Sequence, residues 1–135
     1  MADRSTFFDT NILLYLLSDN RIKADKAEEL LSAGGVVSVQ VLNEFAAIAS
    51  RKLAMKWSEI RYCLEPFRLL LRIESLTADT HDQALDIAER YKVSFYDASI
   101  IAAAKIAGCS RLYSEDLQHR QVFEKSLTVV NPFKE

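Results

Sequence analysis

Glycine, proline and cysteine are all scarce, with 3 Gly, 2 Pro and 2 Cys in 135 residues. So few turn formers exclude a flexible linker, a collagen-like repeat and a turn-rich all-β chain. Cys63 and Cys109 stand 46 residues apart, which is no disulfide framework. With His81 and His119 the only histidines, no zinc-ligand spacing exists. No Gly-rich phosphate loop occurs, neither G-x-G-x-x-G nor G-x-x-x-x-G-K-[ST], so the usual NAD- and ATP-dependent enzymes are excluded. Long apolar runs are missing too. The stretch from Ile12 to Leu17 is short and follows acidic residues, so neither a signal peptide nor a membrane span is expected. The expectation is a soluble protein of a reducing compartment, hence cytoplasmic, without a membrane partner.

Half of the chain is hydrophobic and 27% is charged, the balance of an ordinary globular domain. Its length fits one domain spanning residues 1–135 and buries roughly two thirds of the surface its unfolded form exposes. The net charge of −2 is not that of a protein held on nucleic acid by bulk attraction. Its distribution is uneven, however. Between Arg51 and Arg72, six basic residues (Arg51, Lys52, Lys56, Arg61, Arg68, Arg72) face two acidic ones (Glu59, Glu65), so this segment carries +4 and the remainder −6. Such a run is either a solvated helix surface or a contact for a polyanion.

Short apolar runs alternate with longer amphipathic ones, the pattern of an α/β domain. Thr6–Phe8 reads as a buried strand, and helices are expected over about Asn11–Ser18 and Ile22–Ser32. Gly34-Gly35 stops the second helix and leads into the strand Val36–Ser38. Ser38 is placed to cap a helix running to about Leu53. The next helix, Trp57–Leu70, contains Pro66, which is expected to kink or split it. Strands follow at Arg72–Leu76, Arg111–Tyr113 and Leu127–Val130, with helices at Asp79–Tyr91 and Phe95–Ala107, the latter closed by Gly108. Helices between strands predict a three-layer α/β/α arrangement around a central parallel sheet of about five strands. In such folds ligands bind beyond the carboxyl ends of the strands.

Four acids stand where an acid is not indifferent. Asp9 ends the first strand, where it caps the following helix or serves a site. Glu44 shares i, i+3, i+4, i+7 spacing with Val41, Phe45 and Ile48, on or beside an apolar stripe. Asp97 repeats that spacing with Ile100, Ile101 and Ala104, although Ser94-Phe95-Tyr96-Asp97 also matches a capping box. Asp116 follows the fourth strand, with Glu115 competing for any role, and a plain turn explains either. All four gather at one rim of the sheet. Carboxylates so placed repel unless a cation lies between them, and an all-oxygen cluster suits Mg²⁺ or Mn²⁺ rather than zinc. Ions held in this way lower the pKa of bound water and stabilise the leaving oxygen of a phosphodiester.

Phe7-Phe8-Asp9-Thr10-Asn11, Val39-Gln40-Val41-Leu42-Asn43-Glu44-Phe45, Phe95-Tyr96-Asp97 through Ala104, and Tyr113-Ser114-Glu115-Asp116 together resemble the PIN-domain nucleases, from Thr6 to about Phe133. The resemblance implies a small α/β/α domain that cleaves RNA with Mg²⁺ or Mn²⁺. It also implies a toxin of the VapC group, which dimerises and is silenced by a small antitoxin protein. Carried over, Asp9, Glu44, Asp97 and Asp116 are the metal-binding and catalytic carboxylates. Asn11 orients Asp9 or a water on the metal, and Ser114 supports the site by hydrogen bonding; helix capping and strand termination are the plainer roles for these two. Gln118-His119-Arg120-Gln121 departs from the family, which has small or acidic residues and often Gly there. That puts the position of the fourth carboxylate in question.

These residues make a metal-dependent endoribonuclease the leading reading, with Arg51, Lys52 and Lys56 gripping the RNA backbone and Arg120 either reaching a phosphate or disturbing the Asp116 loop. Two alternatives stay open. One is a non-catalytic RNA- or partner-binding module on the same fold, and the other a metal-dependent phosphatase, although Asp9-Thr10-Asn11 offers one acid where phosphatases carry D-x-D. Leu13, Leu14, Leu16, Leu17, Leu30 and Leu31 form either a dimer or antitoxin surface, or ordinary core.

Overall fold

Thr6–Phe8 (β1) is buried at every residue, as expected of a strand covered on both faces of a parallel sheet. A computed structural model describes residues 5–134. After β1 come α1 (Thr10–Leu14), a 3₁₀ turn (Tyr15–Leu17), α2 (Arg21–Ser32), β2 (Gly35–Ser38), α3 (Val39–Lys52) and α4 (Trp57–Leu70). Then follow β3 (Leu71–Glu74), α5 (Ala78–Tyr91), α6 (Phe95–Ile106), β4 (Arg111–Tyr113), β5 (Val122–Phe123) and β6 (Leu127–Val130). No helix among the described residues is long and apolar enough to cross a membrane.

The six strands form one sheet in the order β3-β2-β1-β4-β6-β5. All neighbours are parallel except the β5–β6 pair. The α/β architecture is as the sequence predicts, with one strand more. The extra strand, β5, joins β6 through a turn in which Glu124 and Lys125 both adopt positive φ. Tyr91 holds that turn from α5, its hydroxyl accepting the Glu124 N–H at 2.8 Å, and Arg90 and Lys105 pair with the Glu124 carboxylate.

Topology locates the crevice. From β1 the chain steps to β2 and then β3 on one side; it then returns past β1 to β4 on the other. Right-handed crossovers therefore put the helices of the two halves on opposite faces, and the reversal at β1 and β4 is a switch point where the strand ends leave an opening. Asp9 follows β1 and Ser114 follows β4. Because Phe8 pairs with Tyr113, the two stand side by side.

Local chemistry explains most boundaries. Asp9, Asn20, Ser38, Thr77 and Ser94 cap α1, α2, α3, α5 and α6 with their side chains. Gly35 has φ +148°, and a Cβ there would come within 2.6 Å of the Phe8 ring and 2.8 Å of the Thr6 carbonyl. Two expectations need correction. The first helix is a short α-helix continued by a 3₁₀ turn. Pro66 does not split α4; the helix runs through, with Pro66 and Tyr62 exposed, so the Tyr62 carbonyl that lost its donor lies on a solvent-facing turn. The leucines of the first two helices belong to the core: Leu13 and Leu31 are fully buried, and Leu14, Leu16, Leu17 and Leu30 pack against it.

Candidate active site

Asp9 is 6% exposed. Its carboxylate accepts the Thr10 N–H at 2.7 Å and the Ser114 hydroxyl at 2.8 Å, and its own N–H donates to the Tyr113 carbonyl. It thus caps α1 and ties the ends of β1 and β4 together. Burial nevertheless pushes its pKa from 3.8 up to about 6, opposed by the bonds from Ser114 and Thr10 and aided by the charges of Asp116 and Glu44. Two of the other three acids are therefore close enough to be felt.

Glu44, half-buried on α3, is held from two sides. Gln40, one turn earlier, donates its amide to one carboxylate oxygen at 2.7 Å, and the Thr10 hydroxyl reaches the other at 3.2 Å. The same Gln40 amide donates to the Tyr96 carbonyl at 3.2 Å, which fastens the start of α6 to the start of α3. Asp97 follows directly in the first turn of α6. The Ser94 hydroxyl accepts the Asp97 N–H, but the Asp97 carboxylate makes no return bond, so capping leaves it free among the described residues. Asp116 is exposed just past β4, its N–H donating to the Ser114 oxygen at 3.2 Å.

The neighbouring Glu115 turns elsewhere. It accepts from the Tyr15 hydroxyl and pairs with Lys23 at 3.1 Å, and these bonds hold its carboxyl below its usual range. Lys23 also lies over the Tyr15 ring at 4.8 Å. This cluster pins the loop that presents Asp116, and burial, aided by the hydrogen bond to Glu115 and the charges of Glu115, Asp116 and Asp9, raises the Tyr15 hydroxyl pKa well above normal. Thr10, Tyr15, Lys23 and Gln40 were not singled out in the sequence. Their roles come from partners far along the chain, and only the i, i+4 pair Gln40–Glu44 left a local signal.

Asn11 makes no hydrogen bond to Asp9: its amide nitrogen and oxygen are both buried without a hydrogen-bond partner among the described residues. Arg51, Lys52 and Lys56 are exposed, Arg51 seven residues beyond Glu44 on the same face of α3, or about 10 Å along the axis. Arg120 is exposed with φ +71° and donates to His119 at 3.3 Å.

The donor set is all oxygen, with a buried carboxyl at Asp9 and, among the described residues, two unpaired carboxylates at Asp97 and Asp116 and an orphaned amide at Asn11, and this chemistry fits a hard divalent cation. The side chains do not converge, however. Among the described residues, no three His, Cys, Asp or Glu groups stand close enough to share an ion.

Residues 6–125 match the family model described as PIN domain. No curated protein matches the chain in sequence. Among solved structures, the chain is similar to VapC20 of Mycobacterium tuberculosis, a sarcin–ricin-loop-cleaving toxin. That match has a TM-score of 0.67 and 25% identity and covers 83% of this chain and 90% of that one. A toxin–antitoxin complex from Klebsiella pneumoniae matches at TM-score 0.73 and 24% identity, covering 97% and 100%. VapBC2 from Rickettsia felis, bound to a promoter DNA fragment, matches at 0.61 and 21%, covering 82% and 87%. These last two show the shared fold.

Proposed function

The chain belongs to the PIN domain family, and on that footing we propose that it is a divalent-metal-dependent endoribonuclease, the toxin of a type II toxin–antitoxin pair. The observation that carries this reading is the buried Asp9 carboxylate, tied to Ser114 across the sheet's switch point and crowded by Asp116 and Glu44. The likeness to an RNA-cleaving toxin supports the choice of substrate. Asp9, Glu44, Asp97 and Asp116 are the residues to hold Mg²⁺ or Mn²⁺. Such an ion, when bound, supplies water of lowered pKa and stabilises charge on the departing 3′-oxygen.

The chain's own groups do the positioning. Ser114 fixes the Asp9 carboxylate with a donated bond. Gln40 and Thr10 orient Glu44. The Lys23–Glu115 pair holds the Asp116 loop in place. Arg51, Lys52, Lys56 and Arg120 offer positive charge to the RNA backbone. The products are a 5′-phosphate and a 3′-hydroxyl. In the cytoplasm the protein works as a homodimer, restrained by a small antitoxin protein.

The test is cleavage of total RNA by the purified protein with Mg²⁺, with Mn²⁺ and with EDTA, beside Asp9→Asn and Asp97→Asn. Metal-dependent cutting that both substitutions abolish is the expected result. Release of inorganic phosphate from a small phosphoester, with RNA left intact, would replace the nuclease by a phosphatase.

A further inference from the structure

A cleft of about 280 Å³ opens beside the acid rim, between α5 and the first turn of α6. Gln40, Thr77, His81, Phe95, Tyr96 and Ser99 line it. Its position follows from bonds already described, since the Gln40 amide touches both Glu44 and the Tyr96 carbonyl and Asp97 is the next residue in the chain. The cleft and the carboxylates thus share a wall.

Its lining is unusual for a surface so close to charge. Phe95 is 39% and Tyr96 72% exposed, and the exposed His81 ring lies 5.4 Å from the Phe95 ring, tilted by 58°. Phe95 and Tyr96 therefore meet solvent within one turn of Asp97, with the His81 ring of α5 beside Phe95. Two polar groups stand unused among them: the Ser99 hydroxyl and the Gln40 side-chain oxygen have no hydrogen-bond partner among the described residues. Exposed rings offer a planar ligand a face to stack on, and a free hydroxyl beside a free carbonyl offers its edge a donor and an acceptor. A polymer whose phosphodiester lies at the carboxylates must put its adjacent residue within reach of this cleft.

We propose that the cleft is a nucleobase subsite: one unstacked base of the single-stranded RNA, next to the scissile phosphate, stacks on Phe95 and His81 and is read at its edge by Ser99 and Gln40. The proposal rests on the ribonuclease reading for its substrate, but base stacking has its own readout. A hydrophobic peptide is the competing occupant. It has no use for a paired donor and acceptor, and the phosphodiester at the adjoining acids favours the nucleotide.

The experiment uses the full chain carrying Asp97→Asn, so that RNA stays uncut. Short single-stranded RNAs with one 2-aminopurine, moved along the strand, are titrated against it. Quenching of the fluorophore at one position, weakened about tenfold by Phe95→Leu or His81→Gln, is expected, given the strength of base–aromatic stacking. In the active chain, Ser99→Ala should shift the base preferred beside the cut. Phe95→Leu should raise KM more than it lowers kcat, which distinguishes a contact from a folding defect. RNA binding without quenching at any position would overturn the subsite and leave the cleft to a protein partner. Position-specific quenching, together with no cutting by the unsubstituted chain, would sink the nuclease reading and keep the subsite. Loss of both binding and cutting by the unsubstituted chain would sink the two together.

Discussion

Burial holds a proton on Asp9 between pH 3.8 and about 6 in the folded chain, where the unfolded chain has already lost it. Stability therefore falls as pH rises through that window, because the native state binds more protons than the unfolded one. Two pKa units correspond to about 3 kcal/mol lost above pH 6. Asp9→Asn removes the charge and keeps one oxygen to accept the Thr10 N–H, with its NH2 facing the Ser114 hydroxyl. In EDTA at pH 8 that variant should melt higher than the parent, and the gain should vanish near pH 4, while RNA cleavage disappears. Adding Mn²⁺ should raise the parent's Tm and leave Asp9→Asn unmoved, since only a native-state site gains from the ion. A variant no more stable than its parent at pH 8 would mean that Asp9 is solvated well enough to ionise freely. Glu44 was legible in the sequence because a carboxylate on an apolar stripe breaks the binary pattern, and Asp9 because it ends an apolar strand where such folds bind ligands. What holds them was not: the Thr10 contact to Glu44 spans 34 residues, and nothing local to Asn11 shows that its amide ends up unpartnered.

Elements were read where local chemistry decides them. Caps at Ser38 and Ser94 and the bounds of β4, β6 and α4 follow from side chains within a turn. β5 escaped notice because its turn uses Glu124 and Lys125 at positive φ, where Asn-Gly is the usual signal; Tyr91, Arg90 and Lys105 hold it from other elements. Pro66 misled because a proline on the exposed side of a helix lowers its stability without ending it. Pro66→Ala should restore the missing bond and raise stability by about 1–3 kcal/mol, read as a higher Tm with cleavage unchanged. Gly35 is the opposite case. Ala there meets the Phe8 ring and the Thr6 carbonyl at under 3 Å and must adopt a backbone angle that L residues avoid, so Gly35→Ala should cost about 2–4 kcal/mol. Because Phe8 precedes Asp9, the same change should lower cleavage beyond the loss of folded protein; equal melting of parent and variant would show that β1 yields without strain.

Across the whole molecule, charge and topology divide the labour. The strand order reverses at β1 and β4 and so delivers acids to one rim, while residues 51–72 carry a surplus of +4 in a chain of net −2. A polyanion approaching the acids meets repulsion from the carboxylates and attraction from that segment, so its binding depends on a few cations. Arg51 and Lys52 are exposed in the last turn of α3, on the helix that carries Glu44. If each contacts one phosphate of a single strand, replacing both by Ala lowers the slope of log K against log salt by about 1.4. Affinity measured on the uncut complex should then favour the parent about sevenfold more at 50 mM than at 200 mM salt. An unchanged slope would place the RNA on another face, because a cation that touches no phosphate releases no counterion when the strand binds.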